Sequence, residues 1–134
     1  MQSFLARHQR WIVAALVCFW TALFIGTHIP TIPQQLDVVS DKQLHTAAFA
    51  GLSFLVALAS AARGHFSLYR VPVLFLVIVI YAAVDELLQI PVHRHADVRD
   101  WMADTLGTVI GFTSFAMLRL LAEKLSASPE PPVM

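Results

Sequence analysis

The chain has 134 residues, enough for one domain and not comfortably for two. Hydrophobic residues make up 57% and charged residues 13%, against about 25% charged in soluble domains. With a mean hydropathy of +0.67, lipid is the solvent for much of the chain. A net charge of zero argues against nucleic acid, whose phosphates need a basic excess, and a single cysteine, Cys18, excludes an intrachain disulfide.

A spanning helix needs about 20 mostly apolar residues, and four segments reach that length. The first, about 11–29, follows Arg7 and Arg10 and stops before Pro30 and Pro33. A basic start and apolar core also fit a secretion signal. However, Gly26-Thr27-His28-Ile29 is a poor small-residue cleavage site and the run is long, so a retained anchor is expected. The second segment, about 42–62, has Ser40 or Asp41 to cap it. The third, about 72–90, opens on Pro72 and closes before Pro91. The fourth, about 101–121, has Asp97 or Asp100 near its start, and residues 126–134, with three prolines, are expected to be a disordered tail. The expected fold class is all-α, an integral membrane bundle of four transmembrane helices forming a single domain over 1–125.

Orientation follows from Lys and Arg in the short flanks. Arg7, Arg10, Arg63, Arg70, Arg119 and Lys124 lie on one side, and Lys42, Arg94 and Arg99 on the other. The richer side is expected to be cytoplasmic, with both termini inside a plasma or inner membrane and the connections 30–41 and 91–100 outside.

The acids are far less even. Asp37, Asp41, Asp85, Glu86, Asp97, Asp100 and Asp104 all fall toward the outer side, beside His28, His45, His93, His95 and Gln89. An ionisable group inside a membrane helix costs roughly 2.5–3.5 kcal/mol on insertion scales, so such groups face a bundle interior or a cavity. Asp41 and His45 are four apart and share a helical face, as do Asp85 and Gln89, with Glu86 one residue round. On the fourth segment Asp97, Asp100, Asp104, Gly107 and Gly111 form one narrow stripe at about 100° per residue. Its inner end is Gly-x-x-x-Gly, which admits another helix closely. The second segment, with Ala47, Ala50, Gly51, Ser53 and Ala57, is the expected partner.

These residues resemble the VanZ-like membrane proteins. The resemblance rests on Asp41-Lys42-x-x-His45, Asp85-Glu86-x-x-Gln89, Arg94-x-x-Asp97-x-x-Asp100, Gly107 and Gly111, and it covers roughly residues 38–112. Where that family usually has asparagine, this chain has Asp104, which adds an ionisable group. The family takes its name from resistance to the glycopeptide teicoplanin. The resemblance implies a cell-envelope role and supplies no settled reaction.

The residues themselves leave several roles open. Asp85 and Glu86 stand among Val84, Leu87 and Leu88, either as one side of an ion pair with Arg94 or Lys42, or as a carboxylate that moves a proton or binds a cation. His45 is a candidate base or metal ligand, with Asp41 placed to orient it or merely to cap the helix. Arg94 suits phosphate or carboxylate, or pairs with Asp97 at the rim; Lys42 either joins it or snorkels to the interface. Gln89 is grouped with Lys42 and Arg94 in binding substrate, and Asp41, Asp97, Asp100 and Asp104 in structural or cation-binding roles. No zinc-motif spacing surrounds His93 and His95, and magnesium held by carboxylates and a substrate phosphate fits the ligand types better. Trp11, Trp20, Trp101 and the run Val73 to Ile80 read as interfacial or lipid-facing.

Two functions stay open. One is an enzyme hydrolysing or transferring a polar group on a lipid-linked envelope substrate, with His45, Asp85 and Glu86 catalytic. The other is a non-catalytic accessory protein binding a lipid headgroup, a cell-wall precursor or a glycopeptide. A proton or ion pathway is weaker, because the inner half of the chain offers almost no polar relay. Membrane lipids are expected partners, and nothing in the sequence sets an oligomeric state.

Overall fold

A computed structural model describes residues 1–29, 40–92, 94 and 96–126. Asp37, His93, His95, Pro30, Pro33 and the tail beyond Ser126 lie outside the described residues. The element order is α1 (Gln2–Arg7), α2 (Gln9–Thr27), α3 (Asp41–Ala62), α4 (Val71–Gln89), a 3-10 turn (Ile90–Val92) and α5 (Val98–Ser126). No strand occurs among the described residues. Four segments are long and apolar enough to cross a membrane: α2, α3, α4 with its 3-10 turn, and α5.

Local chemistry sets the helix ends. Ser40 caps α3 in a reciprocal box: its Oγ accepts from Gln43 N at 3.3 Å, and Gln43 Oε1 accepts from Ser40 N at 3.0 Å. Gly64, at φ +72°, ends α3 where a side chain would be strained. Gly64 N then donates to Ala61 O and His65 N to Ser60 O, both at 2.9 Å. Pro72 sits in the first turn of α4, where its missing N–H has no partner to lose. Asp97 opens α5 by accepting the N–H of Arg99 on Oδ1 at 2.8 Å. That hydrogen bond, with Lys42 and Arg99 nearby, holds the Asp97 carboxyl below the usual carboxylate range.

Two boundaries differ from the sequence expectation. Capping by Asp97 starts α5 at Val98 rather than near Trp101, and the helix continues through Ser126, with Arg119 and Glu123, four apart, paired at 2.8 Å on its last turns. The short α1 was not anticipated. It is tied down by Leu5, which is buried, and by Gln2 Nε2, which donates to Ala61 O at 3.0 Å.

α3 and α5 form the closest pair and run parallel. Lys42 meets Asp100, His45 meets Asp104 and Thr46 meets Ala103, at sequence separations of 58, 59 and 57. A nearly constant offset is the mark of a parallel register. Their approach rests on missing side chains. A Cβ at Gly107 would lie 2.3 Å from Thr46 O, and one at Gly111 2.3 Å from Ala50 O. Further in, Phe115 packs edge-on to Phe54 and Phe66. Phe49, Leu52, Ala57, Ile78 and Ala82 complete the core.

Burial is inverted relative to a soluble protein. Asp85, Glu86, Gln89 and Asp104 are buried, while Val73, Leu76, Val77, Leu118 and Leu121 are exposed. Three apolar expectations need correction. Ile78 turns inward from the Val73 to Ile80 run. Trp20 packs edge-on against Tyr81 at 5.0 Å, and Trp101 Nε1 donates to Val79 O at 3.1 Å, tying α5 to α4. Only Trp11 among the tryptophans is largely exposed.

Candidate functional site

The starts of α3 and α5, the end of α4 and the end of α2 meet at one end of the bundle. Helix direction makes this possible: α3 and α5 enter from that end, while α2 and α4 leave through it. Polar side chains near those four helix ends are thereby gathered into two adjacent layers.

The outermost layer is an ion-pair rim. Lys42 Nζ donates to Asp100 Oδ1 at 3.1 Å and lies 3.6 Å from Asp97 Oδ2. Arg94 NH1 donates to Thr27 O at 3.0 Å, and its NH2 stands 3.8 Å from Asp41 Oδ1. Neither cation pairs with Asp85 or Glu86, and Arg94 takes Asp41 rather than Asp97. The ion-pair account of Asp85 and Glu86 therefore fails for both carboxylates.

One turn deeper is a layer of groups that seldom enter a membrane. His45 Nδ1 lies 2.9 Å from Asp104 Oδ1 and 3.9 Å from Glu86 Oε1. Glu86 is held from both sides: Gln89 Nε2 donates to Oε1 at 3.1 Å and Asp97 N to Oε2 at 3.0 Å. Tyr81 OH donates to Asp85 Oδ1 at 3.2 Å. The other oxygens of Asp85 and Asp104 are buried with no hydrogen-bond partner among the described residues. In water such oxygens would bind two or more donors, so each marks a place where solvation has been given up.

The carboxylate that orients His45 is thus Asp104, from another helix, and not Asp41, four residues back. Asp41 is half-exposed on the first turn, where Arg94 occupies it. Two overlapping donor sets share His45. One is His45, Glu86 and Asp104, all buried; the other is His45, Asp41 and Asp100; within each set the donor atoms lie within 4.8 Å of one another. Gln89 touches Glu86, and Lys42 and Arg94 stand at the rim, while Gly107 and Gly111 lie below and set the spacing.

A cavity of about 240 Å³ opens beside His45 between α2 and α3. Asp41, Arg94 and His45 line its polar part, and Leu23, Ala48 and Phe49 its apolar part. Gly26 also lines it, and a Cβ added there would meet nothing within 4 Å.

Sequence reasoning missed Tyr81, Thr27 and Gly26. The spacing of four between Tyr81 and Asp85 was a usable signal for the first. Thr27 accepts from Arg94 through its carbonyl, which leaves no trace in residue type, and nothing in the spacing marked Gly26 as lining a cavity.

A family model described as VanZ/LLP1 matches residues 34–119, which include α3, α4, most of α5 and every ionisable residue of the site. No curated protein and no solved structure matches the chain.

Proposed function

The chain belongs to the VanZ/LLP1 family, and on that premise we propose that it hydrolyses or transfers a polar group on a lipid-linked substrate of the cell envelope. The carrying observation is that His45, Glu86 and Asp104, from three different helices, converge in a buried layer beside a cavity. A scaffold would have no use for groups so costly to bury. Arg94 is held by Asp41 only at 3.8 Å, so an anionic group entering the cavity can take its place with a tighter, bidentate pair. Leu23, Ala48 and Phe49 then accept the apolar part of the same molecule. The polar group to be cleaved or moved comes to rest against His45, which Asp104 orients. The excess of Lys and Arg at the opposite end supports an outward-facing site in the plasma or inner membrane, with both termini inside.

A second reading has one observation in its favour: among the described residues no serine or cysteine lines the cavity, and Thr27 is its one hydroxyl side chain. In that reading the same groups recognise a headgroup, a cell-wall precursor or a glycopeptide without changing it. Either role gives a route to altered teicoplanin susceptibility. Reconstitution with labelled envelope lipids separates them. Multiple turnovers abolished by His45→Ala and by Glu86→Gln, in protein that still folds, support the enzyme. Saturable binding with no product overturns it in favour of the accessory role.

A further inference from the structure

We propose that His45, Glu86 and Asp104 form a binding site for a divalent transition metal of the zinc class. Metal at this position deepens the functional reading above and rests on it as a centre of chemistry. It is measured without turnover, so the two ideas fail separately.

Charge leads to the metal first. Asp85, Glu86 and Asp104 are buried within the spans, and among the described residues no lysine or arginine pairs with any of them. Lys42 is committed to Asp97 and Asp100, and Arg94 to Asp41. His45 is the basic group in contact with Glu86 and Asp104, and as a metal ligand it is neutral, which leaves up to two uncompensated negative charges. The deficit of two is the charge of one divalent ion, in surroundings where uncompensated charge is most costly.

Geometry agrees. Donors around a tetrahedral ion with bonds of about 2.0–2.1 Å stand roughly 3.3 Å apart. The His45 to Asp104 and His45 to Glu86 separations, 2.9 and 3.9 Å, bracket that value, and all three donor atoms lie within 4.8 Å of one another, within reach of side-chain adjustment. Asp104 adds an independent sign of a missing ligand. It is 1% exposed, and its Oδ2 has no hydrogen-bond partner among the described residues although Oδ1 is bound to His45. Glu86 is already steered by Gln89 and by the N–H of Asp97, the kind of outer contact that fixes a metal-binding carboxylate.

The donor set also discriminates between ions. Magnesium takes oxygen ligands in octahedral geometry and keeps several waters. One imidazole with two carboxylates in a buried layer suits zinc or its neighbours better. That reverses the preference for magnesium drawn from ligand types alone. Three protein donors leave a fourth position for water or a substrate oxygen, and His45 itself lines the cavity.

The test uses the full chain, tag-free in nanodiscs, stripped with chelator and reloaded with Zn²⁺ or Co²⁺. The expected result is about one tightly bound ion per chain and visible Co²⁺ bands of low-coordinate type. His45→Ala and Asp104→Asn each weaken binding more than about 100-fold, beyond what loss of an outer contact does. Asp104→Asn keeps the shape and an acceptor for His45, and the folded state of each variant is followed by circular dichroism. Added Zn²⁺ raises the melting temperature of the parent and not of these variants. Asp85→Asn, outside the donor set, retains the ion. No bound ion above the empty-nanodisc background overturns the assignment. So does binding that survives Asp104→Asn, binding lost equally in Asp85→Asn, or binding of Mg²⁺ alone.

Discussion

The two glycines of α5 give the sharpest test of the packing that builds the site. In Gly107→Ala the new Cβ would lie 2.3 Å from Thr46 O, where carbon and oxygen settle at about 3.3–3.6 Å. The shortfall is about 1 Å, and the obstacle is backbone, which cannot swing aside. α3 and α5 must part locally by about that distance, at an overpacking cost of roughly 1–3 kcal/mol. Replacing a helical glycine by alanine returns about 1 kcal/mol of helix propensity, so the net loss is ~0–2 kcal/mol. Position matters more than the total. Asp104 is three residues outward of Gly107, so even half the displacement stretches the 2.9 Å contact with His45 to ~3.4 Å, the edge of hydrogen bonding. Gly111→Ala meets the same 2.3 Å obstacle at Ala50 O, and one shared displacement relieves both clashes, so the double variant costs less than the sum. Gly51→Ala meets only the tip of the Phe19 ring at 2.8 Å, which can move, and Gly26→Ala meets nothing within 4 Å. Unfolding in mild detergent against a denaturing one should rank them Gly107→Ala below Gly51→Ala below Gly26→Ala. If Gly107→Ala unfolds no earlier than Gly26→Ala, the backbone contact between α3 and α5 is wrong.

The remaining predictions concern other walls of the site. Tyr81→Phe removes the donor to Asp85 Oδ1 and is expected to cost about 1–2 kcal/mol, because a buried carboxyl then has no described partner. Adding Asp85→Leu should recover most of that loss in the same unfolding assay, and no recovery would mean that the hydroxyl matters for another reason. Trp101→Phe gives up the 3.1 Å bond to Val79 O and should cost about 0.6 kcal/mol, typical of an interhelical bond in a membrane, as read by the shift in unfolding midpoint. Gly26→Leu fills the cavity without touching the polar layer. Capture of a photoreactive, lipid-linked phosphate should fall at least tenfold, about 1.4 kcal/mol, with thermal stability unchanged. Undiminished capture would place the apolar part of the ligand elsewhere.

Much of this was legible from residue types alone. Four apolar runs, the crowding of acids toward one end, and the glycine stripe on α5 follow from hydropathy and a 3.6-residue period. Register was not legible. Knowing that α3 faces α5 leaves open how far one slides along the other, and only the offset of 57–59 decides that His45 reaches Asp104. Within one helix, Asp41 and His45 share a face and invite pairing. Between helices, Asp104 is nearer and more deeply buried, and tertiary geometry wins. The partners of Lys42 and Arg94 stayed open for a related reason. Long cationic side chains reach any of several carboxylates at one depth, and sequence spacing does not rank them.

The parallel register also explains why polar residues and glycines share one stripe on α5. Asp97 and Asp100 face Lys42, Asp104 faces His45, and Gly107 and Gly111 face Thr46 and Ala50, in three successive layers. An aspartate has a short side chain and can meet a histidine on a neighbouring helix only where the two backbones come close. The glycine layer imposes that closeness from below, and the Lys42 pair closes the top. The same glycines tolerate nothing larger, so the spacing of the polar layer is fixed by steric exclusion rather than by the attraction of its own charges. Groups that gain little by being buried together are therefore held together by packing that lies outside them. Such an arrangement keeps its geometry whether the layer is empty, protonated or bound to an ion, and a pre-formed binding layer needs that property.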